Sequence, residues 1–285
     1  MERLRKAMER ARADRQRVIQ PQPAPTPDRE SSTSAPREAD GSGVQIRYTR
    51  TARVAVDPHS LQNGRILLRE DHPDLAGLHE GVADAYKILR TQILHRMRAK
   101  SCRTLAITSP GVGDGKTTTS INLAISLARD VNQTVLLVDF DLKRPSIGRY
   151  FTGRESLGLI ECLTGDVELP DVLINPGIER LVILPGGKRI RHSSELLSSP
   201  RVVQLVEELK SRYEDRLILF DMPPLFAGDD VIAFLPHVDA VMLVVEDGKV
   251  SRTQLDHAGE LLGEKCIGMV LNKADSGSTS PGYYY

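Results

Sequence analysis

The stretch Thr104-Leu105-Ala106-Ile107-Thr108-Ser109-Pro110-Gly111-Val112-Gly113-Asp114-Gly115-Lys116-Thr117-Thr118 decides how the chain is read. An apolar run ends at Thr108 and a glycine-rich loop follows. Gly115-Lys116-Thr117 then opens a segment with Ile121, Ala124, Ile125 and Ala128 on one helical face. Glycines let successive backbone N–H groups turn inward around oxygen atoms, and a helix N-terminus adds a favourable dipole. A lysine at position 116 reaches terminal phosphates, and the Thr117 hydroxyl suits Mg²⁺. Gly111, Val112, Gly113, Asp114, Gly115, Lys116, Thr117 and Thr118 are therefore the candidate ATP-binding residues. The general pattern begins with Gly five residues before Gly115, where this chain has Pro110.

Outward from the loop, short apolar runs alternate with helical patterns. The runs are Thr104–Thr108, Thr134–Asp139, Leu181–Leu184, Leu217–Asp221, Ala240–Val245 and Ile267–Leu271, with helical spacing near 117–129, 200–213 and 251–262. Runs of Val, Ile and Leu without alternation suit strands buried on both faces. Upstream, Leu78, Val82, Ala85, Leu89, Ile93 and Met97 predict an amphipathic helix. The expected fold is α/β: a P-loop, three-layer architecture with a mostly parallel central sheet flanked by helices. Two more runs end in acids, Asp139-Phe140-Asp141 and Asp221-Met222-Pro223-Pro224. Open parallel sheets bind ligands at the carboxyl ends of their strands. Acids two apart on an extended chain point the same way. Asp139 and Asp141 are thus expected to face one Mg²⁺–phosphate cluster, with Thr117 and Asp221 as further metal ligands.

The chain has 285 residues, and Lys plus Arg equals Asp plus Glu at 38 each, which argues against coating nucleic acid through bulk charge. Aromatic residues make up only 4%, too few for a base-stacking platform, so no nucleic-acid partner is expected. Cys102, Cys162 and Cys266 lack metal or redox spacing and read as reduced, mostly buried residues. No apolar run reaches membrane-helix length, and the N-terminus lacks a signal-peptide core, so a cytoplasmic location is expected. Residues 1–75 divide into a basic helix at 1–17, seven basic residues against three acidic ones, and a Pro-, Ser- and Gly-rich linker expected to be disordered. Arg65-Ile66-Leu67-Leu68 stands out there as a candidate strand or docking segment. The folded domain is expected over 76–273, with 274–285 a flexible tail ending in Tyr283, Tyr284 and Tyr285.

From residue 76 onward the chain resembles the bacterial tyrosine kinases (BY-kinases) of exopolysaccharide and capsule gene clusters. The resemblance rests on the phosphate loop, on Asp139-Phe140-Asp141-Leu142-Lys143-Arg144-Pro145 and on Asp221-Met222-Pro223-Pro224. Leu184-Pro185-Gly186-Gly187, Ser194-Glu195-Leu196-Leu197 and Leu271-Asn272-Lys273 extend it. The N-terminal part is more loosely similar to tyrosine autokinases of exosortase-linked exopolysaccharide loci. The resemblance implies a non-specific protein-tyrosine kinase that uses ATP and Mg²⁺ and regulates exopolysaccharide synthesis or export. It implies that Lys116, Asp139 and Asp141 are catalytic, that Asn272 lies near the adenine, and that Tyr283, Tyr284 and Tyr285 are autophosphorylated in trans. It further implies homo-oligomers, possibly rings, and a membrane-embedded polysaccharide chain-length or co-polymerase partner that recruits the chain to the inner face of the plasma membrane. The family's self-association helix carries Glu-x-x-Arg-x-x-Arg; here Asp84, Lys87 and Arg90 take those places. Which of Asp139 and Asp141 acts as base stays open. The rival classes are a ParA/MinD-like positioning ATPase and a nucleotide-gated scaffold. The former carries a lysine five residues before the invariant one, where this chain has Gly111.

Overall fold

All six apolar runs form strands. The computed structural model describes residues 80–190, 193–212 and 216–274. The strands are β1 (Thr104–Thr108), β2 (Thr134–Asp139), β3 (Leu181–Leu184), β4 (Arg216–Asp221), β5 (Ala240–Glu246) and β6 (Cys266–Asn272). They build one sheet in the order β3-β2-β4-β1-β5-β6, and every neighbouring pair is parallel. An isolated antiparallel bridge, Ile174 to Ile183, touches β3. Strands β1 to β4 are buried along their whole length, which is why their sequences do not alternate. Edge strand β6 leaves Met269 and Leu271 exposed.

Helices cover both faces. On one face lie α1 (Glu80–Ala99), α2 (Lys116–Ala128) and α3 (Ile147–Thr152), sharing a core with the side chains of Leu105, Leu137, Leu219 and Met242. On the other, α4 (Leu159–Thr164), α5 (Leu169–Val172), α7 (Pro200–Ser211), α8 (Asp230–Phe234) and α9 (Arg252–Leu262) pack on Leu136, Ile218 and Leu243. Short helix α6 (Ser193–Leu197) precedes α7. The chain leaves central β1 for β2 on one side and later crosses it from β4 to β5. The crevice this opens at the end of β1 is where such sheets bind ligands.

Helix α1 differs from its expected face. Ile93, Leu94 and Met97 are buried and Ala83, Tyr86 and Leu89 pack beside them, whereas Ala85 is exposed. The cause is α2, whose Ser126 carbonyl and hydroxyl bond Arg90 and the Tyr86 carbonyl, turning the helix toward Tyr86. Cys102 is buried, while Cys162 and Cys266 are half-buried; all three are free. Among the described residues no helix is long and apolar enough to cross a membrane. Residues 1–79, with their basic helix, linker and Arg65–Leu68 segment, lie outside the described residues, as do 275–285.

Three rings, Phe140, Phe220 and Phe234, meet with centroids 4.4–5.1 Å apart directly behind the acidic strand ends. They anchor those ends in apolar packing. The opposite end of the sheet is tied by Asp239, whose carboxylate accepts the Arg103 and Thr104 amides at 2.9 Å and an ammonium hydrogen of Lys210 at 3.3 Å. Although half-burial acts to raise it, these donors hold the Asp239 carboxyl below the usual aspartate value. A depressed folded pKa stabilises the fold above the unfolded value, near 4, and that contribution disappears as pH falls through the folded value. Asp239→Asn is therefore expected to lower stability by about 1–2 kcal/mol at neutral pH. The gap to the parent chain closes below pH ~4, a trend that denaturant titrations at neutral and acidic pH will show.

Candidate active site

The phosphate loop is shaped from behind. Gly113 and Gly115 hold left-handed φ angles of 87° and 96°, which side chains resist. Behind the loop, Lys249 Nζ donates to the Val112 carbonyl at 2.8 Å and Lys273 Nζ to the Gly113 carbonyl at 2.9 Å. Asn272 Nδ2 donates to the Asp114 carbonyl at 2.8 Å. With three successive carbonyls engaged from outside, the loop amides after Gly111, whose own N–H is taken by Asp114, are left for a ligand. Gly115 caps α2 without a side chain, so the first helical N–H groups are also available.

The Asp114 side chain has a role of its own. Its carboxylate is fully buried, accepting the Gly111 amide at 2.8 Å and a hydrogen of Lys249 at 2.7 Å. The side chain braces the loop, which leaves the Asp114 N–H for a ligand. Asn272 likewise sits under the loop: a Cβ on Gly115 would come within 1.9 Å of its amide nitrogen. Glu246 completes the brace, accepting from Lys249 at 3.0 Å and Lys273 at 3.1 Å. Those hydrogen bonds hold the Glu246 carboxyl below its usual range, and Asp114 with Glu246 holds Lys249 above its own.

In front of the loop, Lys116 Nζ lies 2.9 Å from Asp141 Oδ2 and 3.6 Å from Asp221 Oδ2. Thr117 Oγ1 donates to Asp221 Oδ2 at 2.7 Å, and Ser120 Oγ to Asp221 Oδ1 at 2.9 Å. Burial works against the charge on Lys116, but Asp221 and Asp141 outweigh it and hold its pKa above the usual lysine value. Burial raises Asp221, countered only in part by Lys116 and the two hydroxyls.

Asp139 stands beside Asp221 in the β2–β4 register. It does not share the partners of Asp141, as the same-direction expectation required. β2 ends at Asp139, and Asp141 falls in the turn that follows, closed by the Arg144 amide on the Asp141 carbonyl at 2.9 Å. The Asp139 carboxylate instead accepts the Ser146 and Ile147 amides at 2.7 and 2.8 Å, at the start of α3. Burial, then the charge of Asp221, pushes its carboxyl up to about 7 despite those amides.

A cavity of about 770 Å³ opens over Lys116, Thr117 and Thr118, between Pro223-Pro224 and the Lys143–Arg144 turn. Its size is that of a nucleotide-scale ligand site. One buried lysine facing several buried carboxylates leaves uncompensated negative charge, and the Thr117 hydroxyl beside Asp221 adds a hard oxygen. Thr117, Asp221 and Asp141 thus fit Mg²⁺, which binds through a few protein oxygens and retains waters.

The remaining expected residues separate. Asp84 and Lys87 form an exposed ion pair of 2.9 Å, while Arg90 turns inward, its Nη1 donating to the Ser126 carbonyl at 3.0 Å. Tyr283, Tyr284 and Tyr285 lie outside the described residues. Lys249, Ser120 and the buried Asp230 were missed from sequence. Lys249 follows the Asp247-Gly248 turn after β5, but a lysine after a strand-end turn is common on solvated loops and carries no signal alone.

A family model described as an AAA domain matches residues 102–255. The chain is 30% identical over 203 residues to the tyrosine-protein kinase CpsD of Streptococcus agalactiae, covering 70% of this chain and 86% of that protein. It is 31% identical over 199 residues to the succinoglycan biosynthesis transport protein ExoP of Rhizobium meliloti, covering 68% of this chain and 25% of ExoP. The solved kinase domain of the Escherichia coli tyrosine kinase ETK is similar at 28% identity and a TM-score of 0.60, covering 71% of this chain and 80% of that one.

Gly115→Ala is expected to weaken nucleotide binding at least about tenfold and to lower the melting temperature, since the new methyl meets Asn272. Pairing it with Asn272→Ala removes the collision but not the left-handed strain, about 1–2 kcal/mol. Partial recovery of both readouts is the expected result.

Proposed function

This chain belongs to the bacterial tyrosine kinase family, and on that premise we propose that it transfers the γ-phosphoryl group of ATP to tyrosine hydroxyls, regulating exopolysaccharide synthesis or export. The observation that carries the reading is the Lys116, Asp141, Asp221 and Thr117 cluster on the floor of a nucleotide-sized cavity. Phosphoryl transfer depends on positioning and charge neutralisation more than on covalent chemistry by the protein.

The loop amides and the α2 N-terminus hold the phosphates. Lys116, now leaning on Asp141 and Asp221, turns its ammonium to the terminal phosphates when these arrive. Thr117 and Asp221, with Asp141 beside them, would hold Mg²⁺, which would supply neutralisation of phosphate charge. The phenol oxygen attacks the γ-phosphorus as the bond to the bridging oxygen of ADP breaks. The phenolic proton passes to one of the pair Asp139 and Asp141.

The acceptors in this reading are Tyr283, Tyr284 and Tyr285 of a second copy, on a small, polar, Gly- and Pro-containing tether. Each phosphate added brings about −1.5 to −2 charges, enough for crowded tails to loosen an assembly. Self-association runs through the exposed Asp84 and Lys87 of α1. Because Arg90 is engaged with α2, Asp84→Ala with Lys87→Ala is the variant that tests the contact, read by light scattering. The partner is a membrane-embedded co-polymerase that brings this cytoplasmic chain to the inner face of the membrane. Its support is that ExoP carries the matching region as a quarter of its length. A positioning ATPase or a scaffold is not favoured: position 111 is Gly rather than Lys, and the curated relative CpsD is named a tyrosine-protein kinase.

With labelled ATP and Mg²⁺, the purified chain is expected to carry label on tyrosine, and Lys116→Met to carry none. Free phosphate without labelled tyrosine would instead mark an ATPase. Mixing a chain lacking Tyr283–Tyr285 with a Lys116→Met chain that keeps them is expected to label the latter's tail. Label confined to Tyr48, Tyr86, Tyr150 or Tyr213 would sink both the acceptor sites and the trans route.

A further inference from the structure

The two edges of the sheet are finished differently. Edge strand β3 is four residues long, and Ile174 closes its outer side. The Ile174 amide donates to the Ile183 carbonyl at 2.8 Å, and the Ile183 amide to the Ile174 carbonyl at 2.9 Å. Edge strand β6 is seven residues long, Cys266-Ile267-Gly268-Met269-Val270-Leu271-Asn272, and contains neither charge nor proline. The Arg96 guanidinium takes the Ile267 carbonyl near its start. Among the described residues no strand pairs with its outer side. Met269 and Leu271 stand in register with buried Leu243 and Val245 and share their face of the sheet, yet are 61% and 58% exposed. A long, apolar, unguarded edge is a template for another strand, and folded proteins cover such edges.

The chain ahead of α1 carries a matching segment. Ile66-Leu67-Leu68 is the only run of three consecutive Val, Ile or Leu residues within 1–79. Asn63-Gly64 before it and His72-Pro73 after it are turn signals, and Arg65 and Arg69 flank it with the charges that guard an edge strand. Ile66 and Leu68 are two apart, as Met269 and Leu271 are, so on paired strands both couples lie on one face. Leu67 then falls on the opposite face with Val270, which packs against the core under α1 and α2. The eleven residues 69–79 between Leu68 and Glu80 extend to about 36 Å. That exceeds the length of α1, about 30 Å. The far end of α1 is held at β6 by Arg96 and by Lys100, whose Nζ donates to the Glu264 carbonyl at 3.0 Å. The segment therefore reaches the β6 edge from either end of the helix.

Topology fixes the direction. β1 leads to β2, toward the β3 edge, through α2 on the face that carries Leu105. β3 leads to β4, and β5 to β6, the other way, through α7 and α9 on the opposite face. These crossovers share one hand, the right-handed sense of parallel sheets. A strand outside β6 that feeds α1 and then β1 travels toward the β3 edge on the α2 face. Running parallel to β6, it makes a crossover of that same hand. We propose that residues 65–68 add to the sheet as a seventh strand, parallel to β6, with Ile66 and Leu68 covering Met269 and Leu271. The occupant is this chain's own segment rather than a second copy, because a tether of this length holds it at the edge at about millimolar effective concentration. The inference is independent of the nucleotide chemistry above.

The test is hydrogen–deuterium exchange on the full chain without nucleotide, read at residues 65–68 and 268–271, with the melting temperature alongside. Amides at 65–68 are expected to be protected in the parent chain. Ile66→Asp with Leu68→Asp is expected to speed exchange at 268–271 at least about tenfold, since undocking frees the outer side of β6. The melting temperature should fall by at least about 2–4 °C. Reciprocally, Met269→Asp with Leu271→Asp is expected to speed exchange at 65–68 by a similar factor. Should that pair fail to fold, Met269→Ala with Leu271→Ala gives the same readout. Unchanged exchange at 268–271 in the Ile66→Asp, Leu68→Asp variant overturns the proposal. Protection of β6 that rises with protein concentration marks a second copy and overturns it as well. So does protection that disappears only when residues 275–285 are removed, which marks the tail as the occupant.

Discussion

The contact between Lys116 and the carboxylates of Asp141 and Asp221 is the constraint around which the site is arranged. A buried ammonium and buried carboxylates are costly apart, and each is tolerable only where the others are placed correctly. That placement is supplied by the sheet. Parallel register sets Asp221 beside Asp139 on β2 and beside Ile107 on β1, so the acids arrive at the level where the phosphate loop begins. The phenylalanine cluster behind them secures the strand ends, because any slip would expose its rings.

A second constraint acts on the loop from the opposite side. Asp114, Lys249, Lys273, Asn272 and Glu246 form a connected ionic and hydrogen-bonded brace. It comes from the ends of β5 and β6, the strands farthest along the sheet from β2. The loop is thus gripped between the acidic strand ends in front and a charge-balanced brace behind. The brace takes up carbonyls and leaves amides, which is the polarity an anionic ligand needs. Preorganisation of this kind spares the ligand the cost of ordering the loop.

Asp139 shows how local geometry redirects a residue whose type was read correctly. β2 ends at Asp139, two residues before Asp141, so the two do not share a direction. The freed Asp139 carboxylate then met the amides opening α3. The same logic applies to α1, where Arg90 belongs to the fold through the Ser126 carbonyl. Its charge pattern read as a surface motif because a sequence shows spacing and not the neighbouring helix.

The strands, the parallel architecture, the phosphate loop and the acids at strand ends were legible in the sequence. Each is written in local spacing: unalternating Val, Ile and Leu runs, Gly-Lys-Thr at a strand-to-helix junction, and acids closing apolar segments. The short helices between β2 and β3 were not, since pieces of four to six residues carry too little periodicity. The loop brace and the Lys143–Asp230–Ser193 tie were decided only by the tertiary structure. The contacts that tie the brace to the loop and Asp230 to Ser193 and Lys143 span 37–160 residues of sequence. Nothing local marks a lysine as paired with one distant carboxylate rather than with water. Sheet order makes the choice, by bringing the ends of β2, β4, β5 and β6 around the end of β1.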